Sequence, residues 1–410
     1  MLYKPLIYVG SYFGLFSAIF FLITLFENRK RLSKTAKKFP SATIIIPAYN
    51  EEKTVAATIK SVLALDYPKD KLKILVIDDG STDNTLSIAR QFENSRLSVF
   101  TKKNEGKGAT LNFGISKCST ELIAPLDADS FVEKDALKKM VGYFEDGEVM
   151  AVTPALKVYV KDKMNILQKI QAMEYLLGVF LRKVFGFIGA IHVTPGPLSI
   201  YRKTFFDRHG GYDEHNAAED MEIAMRIQSL NYKIENAVDA EVRTVVPSGF
   251  IPLFKQRIRW FSGFIETMWK YKCLFGPKYG DLGIFSLPAA ILSTVLLITL
   301  TFYMLSSLLS NTVRSVFNLQ AINFDVLPLI KAIKFSSFYI NFEPIMLFSV
   351  LGLCVAIIII NVAKLISKEK QGIKTSYIYY IMFYWPLMAF WWLAAVFMLL
   401  TKRKVGWKTK

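Results

Sequence analysis

Cysteine and histidine are scarce, with three of each in 410 residues. Cys118, Cys273 and Cys354 share no metal-ligand spacing and cannot all pair, which speaks against a disulfide framework and a cysteine zinc site. His192, His209 and His215 lack zinc-site spacing as well. Acid is short too: 34 Asp+Glu face 51 Lys+Arg, a net charge of +17. What the chain has in quantity is apolar surface, 52% hydrophobic and 14% aromatic residues. Disordered chains lack such residues, so low-complexity disorder is excluded. A soluble nucleic-acid binder would lower its apolar content to carry this charge. Here it is raised.

The positive charge sits in short blocks. Glu27 to Lys38 holds six basic side chains and one acid, and Lys402 to Lys410 holds five basic residues and no acid. Lys364 to Lys374 adds four lysines and Glu369. Each block adjoins a long apolar run, a pattern of membrane surfaces and anionic lipid rather than of nucleic acid. Four charge-free runs, Leu6 to Phe26, Leu282 to Val313, Pro344 to Ala363 and Thr375 to Thr401, reach the roughly 20 residues that a helical span requires. The first exceeds an ordinary signal core and no A-x-A site precedes its basic block, so it reads as an uncleaved span. The expected organisation is an N-terminal span and basic segment over residues 1–39. A catalytic domain follows over 40–280, then a C-terminal membrane region of about three spans over 281–410.

Within 40–280 short apolar runs alternate with helical ones. Thr43 to Ile46 reads as a strand stopped by Pro47, followed by a helix over Glu52 to Leu65. A second strand, Lys73 to Ile77, runs into Asp78-Asp79-Gly80-Ser81, and Asp83 reads as the cap of a helix through Phe92. Strand Leu97 to Phe100, helix Gly108 to Ser116 and strand Leu122 to Ala124 complete the series. The alternation implies βαβ units and a mainly parallel sheet, an α/β fold, whose ligands bind beyond the carboxyl ends of the strands. Two later segments, near 164–185 and 252–272, mix apolar residues at helical spacing with Lys and Arg. They are candidates for helices lying in a headgroup plane, with a core-facing helix as the plain alternative.

Four consecutive strand ends carry polar groups to one crevice. Pro47-Ala48-Tyr49-Asn50-Glu51 ends the first and Asp78-Asp79-Gly80-Ser81 the second. Asn104-Glu105-Gly106-Lys107-Gly108, with Leu111-Asn112 after it, ends the third. Asp127-Ala128-Asp129 ends the fourth and is expected to lead into a helix. Two carboxylates at i and i+2 can share one hard divalent cation whose shell is completed by substrate phosphates and water. Alone, Asp-x-Asp is common and mostly a capped turn. Each of these features has a plain reading as turn, cap or solvated charge, but their coincidence on one sheet edge does not.

These motifs, with Ala218-Glu219-Asp220 and Gln256-Arg257-Ile258-Arg259-Trp260 further on, resemble those of the family 2 glycosyltransferases. The match runs over roughly residues 40 to 275, in the family's order. The last motif and the flanking spans look like the membrane-embedded synthases of cellulose, chitin, hyaluronan and poly-N-acetylglucosamine. The resemblance implies the A-type glycosyltransferase fold, Rossmann-like, with transmembrane and interfacial helices. It implies an inverting transfer from a nucleotide-diphosphate sugar, a UDP-sugar before a GDP-sugar, to a growing saccharide or lipid-linked acceptor. Tyr49, Glu51 and Asp79 would hold the nucleoside, Lys107 would lie near base or diphosphate, and Asp127 against the nucleotide. Glu219 would also belong to the substrate site. Asp129 would hold Mg2+ or Mn2+ on the diphosphate, and Asp220 would be the general base. Gln256, Arg259 and Trp260 would close over the donor. The segment His192 to Arg202, with Pro195 and Pro197 around Gly196, departs from the small-residue run usual at the acceptor-lining place.

Two other readings compete: addition of a single sugar to a polyprenyl phosphate or glycolipid, and a non-enzymatic membrane scaffold with a retired nucleotide fold. Nucleotide sugars are cytosolic, so the catalytic domain is expected on the cytosolic face of a prokaryotic cell membrane, in contact with its lipids. A second copy or a partner subunit is compatible with this arrangement. Counting four full spans puts Lys364 to Lys374 inside and Lys402 to Lys410 outside, against the positive-inside trend. A re-entrant or broken pair, in the 282–313 run or around Pro386, would remove that conflict.

Overall fold

The structure, a computed structural model, describes residues 3–321, 344–369, 372 and 374–401. The chain forms two compact units. One takes in the start of the chain to Phe20 and Ala289–Ile358, and the other Phe21–Pro288 and the chain from Ile359 onward.

The larger unit is built on an eight-stranded mixed sheet. Its strands are β1 (Ala42–Ala48), β2 (Leu72–Asp78), β3 (Leu97–Thr101), β4 (Leu122–Pro125), β5 (Ser130–Val132), β6 (Val149–Tyr159), β7 (Ile200–Arg202) and β8 (Lys233–Val245), in the order β3-β2-β1-β4-β7-β6-β8-β5. The four strands read from the sequence pair in parallel, so their carboxyl ends share one edge. The rest is mixed: β7 runs antiparallel to β4 and β6, β8 is parallel to β6, and β5 is antiparallel to β8. Parallel pairing thus dominates, as expected, with three antiparallel pairings in the second half that the sequence did not announce.

Alternation in β1 sets the layers. Ile44 and Ile46 point into one core with Val55, Ile59 and Val62 of α2 (Val55–Leu63) and Leu137 and Met140 of α5 (Ala136–Val141). Ile45 points the other way, with Ile77, Leu111 of α4 (Lys107–Ser116), Phe205 of α7 (Lys203–His209) and Ile223 of α8 (Glu219–Ser229). Gly114 lets α4 close onto that face, because a Cβ there would lie 2.6 Å from Ile45 Cγ2. Between β2 and β3 runs α3 (Thr85–Arg90). Asp83 serves its start from one residue before the Asn84 cap, accepting from Thr85 N at 3.0 Å.

One strand overturns a specific expectation. Asp129 leads into β5, not into a helix, because Ser130, Phe131 and Val132 find antiparallel partners in Thr244, Arg243 and Val242. Three residues whose pairing partners lie more than a hundred positions away carry no periodicity to read.

The segments near 164–185 and 252–272 become α6 (Ile166–Phe187) and α9 (Phe250–Lys270). One side of α6 packs Val179 on Ala155 and Val238 of the sheet. Its Met173, Leu176, Phe180 and Val184 pack on Leu25 of α1 (Tyr3–Glu27) and on Ile360 and Ala363 of α11 (Pro344–Ile366). Phe261 of α9 stacks on Trp392 of α12 (Lys374–Leu400) with centroids 4.4 Å apart. Within this unit α6 thus lies between the sheet and apolar helices, and α9 packs on α12.

Four helices are long and apolar enough to cross a membrane: Pro5–Glu27, Leu282–Ala321, Pro344–Ile366 and Thr375–Leu400. The run beginning at Leu282 is one continuous element, a π turn (Leu282–Ser286) feeding α10 (Leu287–Ala321), and α12 continues through Pro386. Neither is a broken pair. The basic block Lys402 to Lys410 lies outside the described residues. In the smaller unit Tyr8 meets Phe348 edge to face at 6.3 Å.

Candidate active site

The carboxyl ends of β1, β2 and β3 are locked to one another by side chains binding backbone. Asn50 takes a left-handed conformation (φ +56°) beyond β1, where its Oδ1 accepts from Thr82 N at 2.9 Å. Glu51 N donates to Thr85 Oγ1 at 2.7 Å, and the Glu51 carboxylate accepts from Thr54 Oγ1 at 2.8 Å. Tyr49 lies half-buried at the same end. Asp78 accepts from Ser81 N and from Thr101 Oγ1. Asp79 is buried and accepts from Glu105 N at 3.1 Å, Gly106 N at 2.9 Å and Lys102 Nζ at 3.1 Å. It therefore shapes the turn that delivers Lys107 to the start of α4. Gly80 (φ +72°) has no room for a side chain, since a Cβ would lie 3.0 Å from Asn104 N.

At the centre lies a charge cluster drawn from four elements. Lys107 Nζ is 2.5 Å from Asp127 Oδ1 and 3.3 Å from Glu219 Oε1. Burial opposes the ammonium charge, but the two carboxylates outweigh it and raise the lysine's pKa. Gly196 abuts the pair: a Cβ there would stand 2.9 Å from Lys107 Nζ and 3.3 Å from Asp127 Oδ2. Asp220 follows Glu219 in the first turn of α8. Burial, then the Glu219 carboxylate, push its carboxyl up to about 6, while Lys107 and Arg259 pull it down. A carboxylate with a pKa near neutrality is suited to take a proton from a hydroxyl.

The 192–199 segment is docked on Asp220. Thr194 Oγ1 donates to the Asp220 carbonyl at 2.7 Å and accepts from Tyr201 Oη at 2.8 Å. Leu198 (φ +59°) donates its N–H to Pro125 O at 2.7 Å, at the end of β4. On the far side Asn112 holds the approach to α8. Its Oδ1 accepts from Tyr212 N at 2.7 Å and its Nδ2 donates to Glu214 Oε1 at 2.7 Å.

Asp129 stands at the head of β5. Ser130 Oγ lies 2.9 Å from Thr244 Oγ1 and 3.3 Å from Asp129 Oδ1, and Thr244 Oγ1 is 3.5 Å from the same oxygen. Among the described residues no group of three or more His, Cys, Asp or Glu gathers into a metal cage. One or two carboxylates on a strand-end turn suit a hard divalent cation that takes the rest of its shell from phosphates and water. The donor set fits Mg2+ or Mn2+.

Above the crevice runs α9. Arg259 is close enough to lower the Asp220 pKa, and Gln256 Oε1 is buried without a hydrogen-bond partner. The fully buried member of the motif is Arg257, which the sequence reading passed over. Its guanidinium binds both oxygens of Glu174 on α6, at 2.8 and 2.7 Å, and lies over Trp260 at 4.3 Å and Trp391 of α12 at 5.5 Å. Tyr384 of α12 donates to Glu174 Oε1 at 3.4 Å. A signal existed, because Glu174 is the lone acid in α6. At its other end α9 is tied to α8: Lys270 Nζ and Tyr271 Oη reach Glu222 Oε1 at 2.9 and 2.6 Å.

Residues 43–210 match Glycosyl transferase family 2. The chain is 31% identical over 267 residues to the poly-beta-1,6-N-acetyl-D-glucosamine synthase of Staphylococcus aureus strain COL, over 63% of either chain. It is 32% identical over 247 residues to the protein of the same name from Staphylococcus epidermidis strain ATCC 35984, over 59% of either chain. It thus spans less than two thirds of the length of these curated relatives. A mannosyltransferase of Pyrobaculum calidifontis, solved in complex with GDP-Man and Mn2+, superposes with a TM-score of 0.61. That match spans 97% of this chain and 99% of the other at 18% identity, a likeness of fold.

Proposed function

We propose that this chain, whose residues 43–210 match glycosyl transferase family 2, is a membrane-bound inverting glycosyltransferase extending a polysaccharide from a nucleotide-diphosphate sugar. The observation that carries the reading is Asp220, with a pKa of about 6, beside the Lys107–Asp127–Glu219 cluster and within the field of Arg259. Tyr49, Glu51 and Asp79 form the nucleoside end of the site, and Gln256 and Trp260 its cover. The names of the staphylococcal relatives support an N-acetylhexosamine as the sugar, carried by UDP.

Rupture of a sugar–phosphate bond leaves negative charge on the departing diphosphate. Lys107 and Arg259 supply fixed positive charge next to it. Asp129, with Asp127 beside it, would hold a divalent cation that would supply further Lewis-acid stabilisation there. The acceptor hydroxyl is a weak nucleophile, and the Asp220 carboxylate removes its proton as the oxygen attacks the anomeric carbon from the face opposite the diphosphate. The new bond forms as the old one breaks, so the configuration inverts. Positioning does most of the remaining work. Residues 40–280 face the cytosol of a prokaryotic cell, where nucleotide sugars are made, and the apolar helices cross the membrane.

The test is transfer from a panel of radiolabelled nucleotide sugars by membranes containing the protein. Asp220→Asn should lower incorporation on the order of 10^3-fold with little change in donor KM. Undiminished transfer by that variant would remove Asp220 from the mechanism.

A further inference from the structure

Four charges outside the crevice form a closed network between the sheet and the turn that joins α11 to α12. Lys157 of β6 lies 2.5 Å from Glu241 Oε2 and 3.5 Å from Glu369 Oε2. Arg243 of β8 binds Glu241 Oε1 through Nε at 2.6 Å and approaches Glu369 Oε1 at 4.0 Å. The Lys157 side chain is 3% exposed and that of Glu369 9%. One cation and one carboxylate are thus buried, a costly arrangement unless each is paired, while Arg243 and Glu241 stay partly exposed at 23% and 19%.

The network sits just beyond a shift in the register of the sheet. Pro154 of β6 faces Ala237 of β8, yet the next residue, Ala155, faces Glu241, so Val238 to Ala240 are looped out. Beyond that bulge the last five residues of β8 realign on β6, with Lys157 opposite Arg243. Three of these residues carry β5, with Thr244 opposite Ser130, Arg243 opposite Phe131 and Val242 opposite Val132. A slip of one residue in this segment would turn Thr244 away from Asp129. Val245 N also donates to the Asp129 carbonyl at 3.2 Å.

We infer that Glu369, from the turn between two apolar helices, is a positioning residue: with Lys157 and Arg243 it sets the register of the β8 end and so the orientation of the Asp129 carboxylate toward a divalent cation. The inference rests on the reading of Asp129 as a metal ligand. It links the C-terminal membrane helices to the metal end of the site through a chain of contacts that leaves substrate untouched.

The experiment uses the full chain in nanodiscs, with Mn2+ binding followed by electron paramagnetic resonance in the presence of UDP. Glu369→Gln should weaken Mn2+ binding about tenfold, the lower range for groups that orient a ligand, while the UDP affinity measured without metal stays near that of the parent. Thr244→Val, which leaves the network intact, should weaken Mn2+ similarly. Should Glu369→Gln fail to fold, Glu369→Asp decides, with a smaller weakening expected. Unchanged Mn2+ affinity in the variant that folds overturns the inference, and so does an equal loss of Mn2+ and metal-free UDP binding, which marks a structural anchor. Asp129→Asn separates the two layers: if it still binds Mn2+, the metal reading itself fails and the inference falls with it.

Discussion

Asp220 and Glu219 are adjacent in sequence yet differ in partners. Glu219 has Lys107 at 3.3 Å, whereas the Asp220 carboxylate has the N–H of Met221 at 2.9 Å and is left with a pKa of about 6. A base of that pKa fixes the acid limb of the rate profile. For kcat/KM, activity should fall about tenfold per pH unit below about 6, as Asp220 takes up the proton it must lack. The sign of the Glu219 contribution gives a second expectation. Its negative charge raises the Asp220 pKa, so Glu219→Gln should move the limb to lower pH, measured as kcat/KM from pH 4.5 to 8 on the order of one unit away from the parent curve. A limb that stays in place would detach the titration from Asp220. The pKa and the pairing were beyond the sequence, which offered the Glu-Asp pair only as a motif. Lys107 reaches Glu219 from more than a hundred residues away, and nothing local in either segment announces that.

At the scale of elements, α9 is held to α6 by Arg257 and Glu174 and roofed by Trp391 and Tyr384 of α12. Losing one partner of a buried pair strands the other charge. Glu174→Gln or Arg257→Met alone should therefore destabilise by about 3–5 kcal/mol, and the double variant by less than the sum of the two. Thermal unfolding of the four proteins in detergent measures the coupling, and strict additivity would show the pair to be incidental. The elements that carry this architecture were legible to different degrees. Strands β1, β2 and β4 announce themselves as short β-branched or apolar runs, because both their faces are buried beneath helices. The strands β5 and β7 are three residues long and exist only through partners distant in sequence. The helices α6 and α9 were visible from their spacing, but their layer was not. Apolar residues meeting lipid and apolar residues meeting another helix have the same composition.

For the whole molecule, the excess of Lys and Arg lies largely in blocks beside apolar runs of the sequence, and a smaller set lies within the domain built on the sheet. The proposed chemistry draws on two of that smaller set. Lys107 and Arg259 lie at the crevice, Arg257 ties the cover to the membrane helices, and Lys157 and Arg243 bind the turn after α11. Scarcity of Cys and His costs the proposed reaction nothing, since it needs carboxylates, a hard cation and fixed positive charge. The central claim is that this ensemble builds a polymer. Its most direct test is to incubate the full chain in nanodiscs with radiolabelled UDP-N-acetylhexosamine and Mn2+, and to size the products. A ladder of long saccharide, lost in Asp220→Asn, is the predicted result. A single labelled lipid, or no incorporation from any nucleotide sugar, would contradict it.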